Sequence, residues 1–379
     1  LPHERPFLPG LKQLGFNGSN EQILKSAYKF SKVLLSNFTS ASSMWAANAA
    51  TISPSFDTQD KKTHITPANL KSMFHRSIET EFTFNQCKLI FKGNCFKVHE
   101  PALSISGRGD EGAANHLRIS RSHNEKGFEI FVYGDSGFSR DNLSIKRQAL
   151  EVSKSIANNH KLDDENTFFL QQNSEAIEMG SFHNDIVSLS NENIFIAHEK
   201  AFQDRNKLTK LLKNLEAKID NFQFIEISDS EIPLKNIIDS YLLNSQLATN
   251  GQNEMMLILP EEVKSYETCM AWLDKLKQIS DIKLYDFVNI RQSMMNGGGP
   301  ACLRLKVVLD ENETKELNQN FLMTSEKLDA IKSLIEREYR DNLHPDDLPD
   351  PNLLDESRRV LDELTQIFDV GSIYEFQKL

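Results

Sequence analysis

The sequence predicts one mixed α/β body, and three observations predict it. Amphipathic helical stretches alternate with short strand-like runs from end to end, strand–strand–helix order recurs, and no long linker interrupts the alternation. Length alone, at 379 residues, would point to two or three domains. The unbroken alternation favours a single body over residues 1–379, built from repeats of one supersecondary unit.

Apolar 3–4 spacing predicts helices over Glu21–Ser36, Asp141–His160, Glu199–Ile219, Leu234–Gln246, Glu261–Ile279, Thr324–Leu343 and Leu353–Phe368. Short strand-like runs between them predict strands at Lys88–Phe91, Phe128–Tyr133, Thr167–Leu170, Ile186–Leu189, Ile194–Ala197, Phe222–Ile227, Met255–Leu259, Lys283–Val288 and Leu303–Leu309. Asn191-Glu192-Asn193 reads as a hairpin turn between two of them. Met323-Thr324-Ser325 begins a helix with a hydroxyl cap, and Pro349-Asp350-Pro351 marks the gap before the last helix. The lysines over Lys207–Lys218 read as a solvated helix face.

Hydrophobic residues at 39% and charged residues at 26% describe an ordinary soluble protein. A net charge of -11 argues against a nucleic-acid partner, because no basic excess exists to neutralise phosphates. No apolar run reaches the roughly 18 residues of a membrane helix, and the opening LPHERPFLPG has no signal-peptide core. Four cysteines without a C-x-x-C pair or a histidine at zinc-ligand spacing fit a reducing compartment, and a cytoplasmic location is expected.

Three stretches carry chemistry. In Arg291–Leu309, three glycines and a proline lead into Cys302 and an alternating run. On a strand, Cys302 would share a face with Arg304 and Lys306, away from Leu303, Leu305, Val307 and Leu309, a setting that makes thiolate available. Asn296-Gly297-Gly298-Gly299 would let backbone N–H groups approach a ligand. The plainer reading is a turn followed by a buried thiol. In Phe182–Val187, a strand would put His183 and Asp185 on one face, roughly 7 Å apart along the chain; otherwise the histidine is a cap or surface residue. In Gly107–His116, Asp110 and Glu111 sit among glycines and alanines, suited to a small cation. Alternatively they serve a short helix through its dipole.

Asn48 in WAANAATI, His75 and Arg76 after Phe74, and Arg147 in SIKRQALE are further polar candidates; Arg147 reads equally as an exposed helix residue. Thiol and histidine together fit nucleophilic hydrolysis. Two added carboxylates match a guanidinium, planar and always cationic, better than a neutral amide.

With SSMWAANAATI, FHRS, GDEGAANH, FVYG, QQN, FHND, NSQL, NGGGPACLRL, YRDNL and GSIYEFQ, the chain resembles the N-succinylarginine dihydrolase family of the pentein superfamily. The resemblance implies an α/β propeller with five-fold pseudosymmetry and an axial active site. It also implies a single catalytic domain, no metal or organic cofactor, and a homodimer. It gives Cys302 as nucleophile, His183 and Glu111 as further catalytic residues, and Asn48, His75, Arg76, Arg147, Asp185 and Asn296 as substrate contacts. The family is expected to carry roughly sixty further residues, about two supersecondary units, ahead of the stretch matching Leu1, so the first repeat is expected to be incomplete.

The implied reaction converts N2-succinyl-L-arginine and two waters to N2-succinyl-L-ornithine, two ammonia and carbon dioxide, within arginine catabolism. The alternatives are a deiminase or amidinotransferase acting on another guanidine, and a catalytically silent binder of arginine-like ligands.

Overall fold

Two strands paired antiparallel, then a crossover, then a third strand parallel to the second: this unit occurs four times among the described residues. The first sheet joins β1 (Ala50–Ser53), β2 (Thr63–Pro67) and β3 (Phe96–Val98). The second joins β4 (His116–Ile119), β5 (Phe128–Tyr133) and β6 (Thr167–Gln171). The third joins β7 (Ser188–Asn191), β8 (Ile194–His198) and β9 (Gln223–Ile227), and the fourth β10 (Gln246–Thr249), β11 (Met255–Pro260) and β12 (Ile282–Val288). The computed structural model describes residues 1–105, 108–136 and 146–378.

A parallel third strand requires a crossover, and helices supply it where the pattern predicts them. Asp204 caps Arg205–Lys218, whose Leu208, Leu211 and Leu215 are buried while its lysines face outward. Helix Glu267–Ile279 buries Cys269, Trp272, Leu273 and Leu276. Their sheets contribute Phe195, Ile196, Ile225 and Leu257 to the same apolar clusters. Fully burying one such side chain stabilises the fold by roughly 1.5–3 kcal/mol, so these clusters set the register of the strands.

The chain divides into two compact units. The one just described comprises residues 45–72 and 94–314. The other, residues 1–44, 73–93 and 315–379, contains helices and no strand among the described residues. There, Leu8, Leu11, Ile23, Leu24, Leu35 and Phe38 pack with Leu348 and Leu354. A second cluster joins Leu334, Leu361, Leu364 and Phe368 to Tyr374. Thr324 accepts from Lys327 N as the expected cap of Ser325–Glu338.

Several expectations need correction. Lys88–Phe91 is the end of helix Thr80–Ile90 rather than a strand; four apolar residues are too few to reveal a period. Leu303–Leu309 alternates in sequence but lies in neither strand nor helix, and its residues share one intermediate burial instead of alternating. Without a hydrogen-bonding neighbour the pattern alone makes no ladder. The helix predicted over Leu234–Gln246 stops at Ser240 because Tyr241 adopts φ 55°, and Gln246 already belongs to β10. Glu21–Ser36 is broken at Ser31, whose φ of -164° separates Asn20–Phe30 from Lys32–Phe38. The helix placed at Asp141–His160 begins at Leu150, Gln148 and Ala149 form isolated bridges to Gly109 and Asp135, and residues 141–145 lie outside the described residues. Glu192, at φ 47°, closes the hairpin between Asn191 and Ile194 as expected.

Candidate functional site

The segment between β3 and β4 turns sharply after Asp110. Gly112 has φ 71°, and a side chain on it would meet Ala47 O and Ala50 O at 3.1 and 3.2 Å, so only glycine fits against residues 47–50. Asp110 is consumed by this turn. Its Oδ1 accepts from Gly112 N at 3.2 Å and from Gln148 Nε2 at 3.1 Å. Burial raises its carboxyl to about 6. The neighbouring Glu111 points elsewhere: Gln148 Oε1 accepts from its backbone N–H at 2.7 Å, and its side chain accepts from Ser72 Oγ. Of the two carboxylates that the sequence offered, one is structural and the other faces the site.

Glu111 Oε2 lies 2.9 Å from His183 Nε2, and both residues are buried. The carboxylate accepts from the ring and fixes its orientation. The backbone on either side of the ring is clamped: His183 O accepts from Ser181 Oγ at 3.0 Å, and Asn184 N donates to Asn115 Oδ1 at 2.8 Å. The strand expected here does not form. His183 is extended, Asn184–Ile186 make a 3₁₀ turn, and β7 starts only at Ser188. The alternation argument for His183 and Asp185 therefore fails.

Cys302 Sγ lies 3.3 Å from Asn244 Oδ1 and 3.9 Å from Asp185 Oδ2. Its carbonyl accepts from Ala47 N at 3.1 Å, and the adjacent Asn48 donates Nδ2 to Glu111 O at 2.8 Å. Residues 47–48 thus tie the thiol segment to the Glu111 segment. The expected cationic setting of the thiol is corrected: oxygen acceptors lie at the sulfur. Arg304 and Lys306 instead line, with Asp185, Ala301, Arg118 and His123, a cavity of about 140 Å³. Burial, with help from Arg304 and Arg118, lowers the Lys306 ammonium to about 7.

The glycine cradle also resolves differently. Gly297 N and Gly298 N donate to Met294 O and Ser293 O, closing the turn after Arg291–Met295. A side chain at Gly298 would fall 2.1 Å from Trp45 Nε1, and one at Gly299 would fall 2.5 Å from Asn244 Oδ1. Both glycines admit neighbouring side chains. Asn296 is exposed and donates Nδ2 to Gln292 O. Arg147 is not helical; its guanidinium stacks 4.8 Å over the Phe182 ring. His75 and Arg76 belong to the helical unit, on the short helix Phe74–Ser77, with Arg76 buried.

Sequence reasoning missed Ser72, Gln148 and Asn244. Asn244 was hidden inside a helix predicted six residues past its true end at Ser240, although NSQL belongs to the matched motifs. Among the described residues no group of three metal-ligating side chains converges, and no helix is long and apolar enough to cross a membrane.

The succinylarginine dihydrolase family matches residues 1–377. A relative from Aliivibrio fischeri strain ES114, named N-succinylarginine dihydrolase, is 44% identical over 386 aligned positions, covering 100% of this chain and 86% of its own. One of the same name from Marinobacter nauticus is 43% identical, covering 99% and 85%. Among solved structures, a dimethylarginine dimethylaminohydrolase in adduct with 4-chloro-2-hydroxymethylpyridine is similar over 69% of this chain and 77% of its own, at 14% identity and TM-score 0.40. An agmatine deiminase from C. jejuni is similar over 64% and 66%, at 12% identity and TM-score 0.33.

Proposed function

The chain belongs to the succinylarginine dihydrolase family, and from that premise we propose that it hydrolyses N2-succinyl-L-arginine to N2-succinyl-L-ornithine, two ammonia and carbon dioxide. The observation that carries the reading is likeness along the whole chain to relatives bearing that name. The contact of Glu111 with His183 and the approach of Asp185 to Cys302 support it chemically.

In this reading Cys302 is the nucleophile, attacking the guanidinium carbon as thiolate. Glu111 and Asp185 hold guanidinium nitrogens, and such positioning is worth several kcal/mol of barrier. His183 passes a proton to departing ammonia, leaving an amidino-thioether, and then activates water. A second round expels the second ammonia and frees carbon dioxide. Asn48, His75, Arg76, Arg147 and Asn296 are proposed substrate contacts on the family likeness. The same likeness leads us to propose one catalytic domain over residues 1–379, with its four repeated units as parts of a five-fold pseudosymmetric pentein propeller, acting as a cytoplasmic homodimer.

Counting ammonia tests the assignment. Two per N2-succinyl-L-arginine consumed is the expected result. One per substrate means a deiminase, and ligand-induced thermal stabilisation without product means a silent binder.

A further inference from the structure

The side chain of Asn244 has one oxygen and one nitrogen, and its neighbours decide which faces which. Its Nδ2 lies 3.1 Å from the backbone oxygen of Asp185. A carbonyl only accepts, so the nitrogen belongs there and Oδ1 is left facing Cys302 Sγ at 3.3 Å. One amide therefore spans the thiol and the segment bearing Asp185. Its own backbone is tied to the thiol's segment as well, since Ala301 N donates to Asn244 O at 2.9 Å.

Two features of the sequence exist to put it there. Tyr241 in the left-handed conformation ends the helix, and Asn244 N turns back to donate to Tyr241 O at 3.0 Å. Gly299 leaves the space into which the amide fits, because any Cβ at that position would lie 2.5 Å from Asn244 Oδ1. Asn244 itself is fully buried, where a polar amide costs stability unless its groups are bonded. Both ends of this one are.

We propose that Asn244 is a positioning residue for the Cys302 nucleophile, its amide holding the sulfur in register with the Asp185 carboxylate; this rests on the reading of Cys302 as nucleophile. Neutrality is part of the role. The amide offers the resting thiol proton an acceptor without placing a second negative charge beside the sulfur when it ionises. A carboxylate of the same shape would oppose the thiolate and lose the donor that holds the Asp185 carbonyl.

The test uses the full chain, Asn244→Ala and Asn244→Asp, each with its thermal unfolding midpoint. Peptide-resolved iodoacetamide labelling of Cys302 against pH needs no substrate. For Asn244→Asp the labelling curve moves to higher pH, and the rate at pH 7 falls by about tenfold or more. For Asn244→Ala, kcat on N2-succinyl-L-arginine falls by roughly ten- to a hundredfold with KM within about threefold, as expected when geometry alone is lost. A labelling curve for folded Asn244→Asp that superimposes on the parent's overturns the proposal. So does a kcat for Asn244→Ala that falls only in proportion to its folded fraction. Should the parent chain release no ammonia, the substrate assignment fails, and the labelling experiment still decides the role of Asn244.

Discussion

Adding one methyl group at residue 298 tests how packing sustains the site. The Cβ of Gly298→Ala would lie 2.1 Å from Trp45 Nε1, 2.6 Å from Cδ1 and 2.9 Å from Cε2, all inside the 3.4 Å at which ordinary contact begins and the nearest by over an ångström. The indole has to move. It now donates to Ser293 Oγ at 3.3 Å, and Ser293 Oγ donates to Gly298 O at 2.6 Å. Overpacking costs about 1–3 kcal/mol, and losing one such hydrogen bond adds roughly 1 kcal/mol. For a chain of this length, a total of about 2–4 kcal/mol lowers Tm by roughly 3–5 °C. Activity suffers too, because Trp45 lies only two and three residues before Ala47 and Asn48, which hold the backbones of Cys302 and Glu111. A misplacement of ~1 Å there is worth up to about a hundredfold in kcat. Gly297→Ala is the control: it meets nothing nearer than Tyr241 Oη at 3.8 Å and pays only for its φ of 91°, about 1–2 kcal/mol. Calorimetry and initial rates on both variants decide. Equal Tm and full activity in Gly298→Ala would refute the packing argument.

The remaining predictions concern charge. The rings of His64, His99 and His160 lie with centroids 5.0–5.5 Å from one another, and burial lowers all three pKa values, His99 to about 4. The unfolded chain then binds more protons, so these groups contribute stability above about pH 6.5 that is lost as pH falls toward 4. Asp110 at about 6 and Glu129 at about 7 are raised by burial and act in the opposite sense. His99→Gln is therefore expected to lose less stability than the parent between pH 6.5 and 4 in denaturant titrations; an unchanged difference between the two pH values contradicts this. Glu111→Gln keeps the shape and the Ser72 contact but removes the charge beside His183, and kcat is expected to fall by about 10²–10⁴ with Tm nearly unchanged. Near-parental kcat would exclude a role for that charge.

What the sequence disclosed follows from where periodicity survives folding. Phe128–Tyr133 was legible as a β-branched and aromatic run, Met255–Leu259 as a short apolar one, and Arg205–Lys218 through its leucine stripe. β1 and β2 were not, because every residue in both is buried and nothing alternates. At the site, the motif residues were visible, but their reasons were not. His183 and Asp185 sit in a clamped turn rather than on a strand face, and Gly298 and Gly299 leave room for Trp45 and Asn244. Such facts depend on segments some fifty to two hundred and fifty positions apart, which no local pattern encodes.

The most direct test is to quench turnover of N2-succinyl-L-arginine in acid and weigh the peptide carrying Cys302. The account predicts an amidino adduct on that cysteine which forms and decays with turnover and is absent from Cys302→Ser. Full turnover with no adduct on residue 302, or undiminished ammonia release by Cys302→Ser, would contradict it.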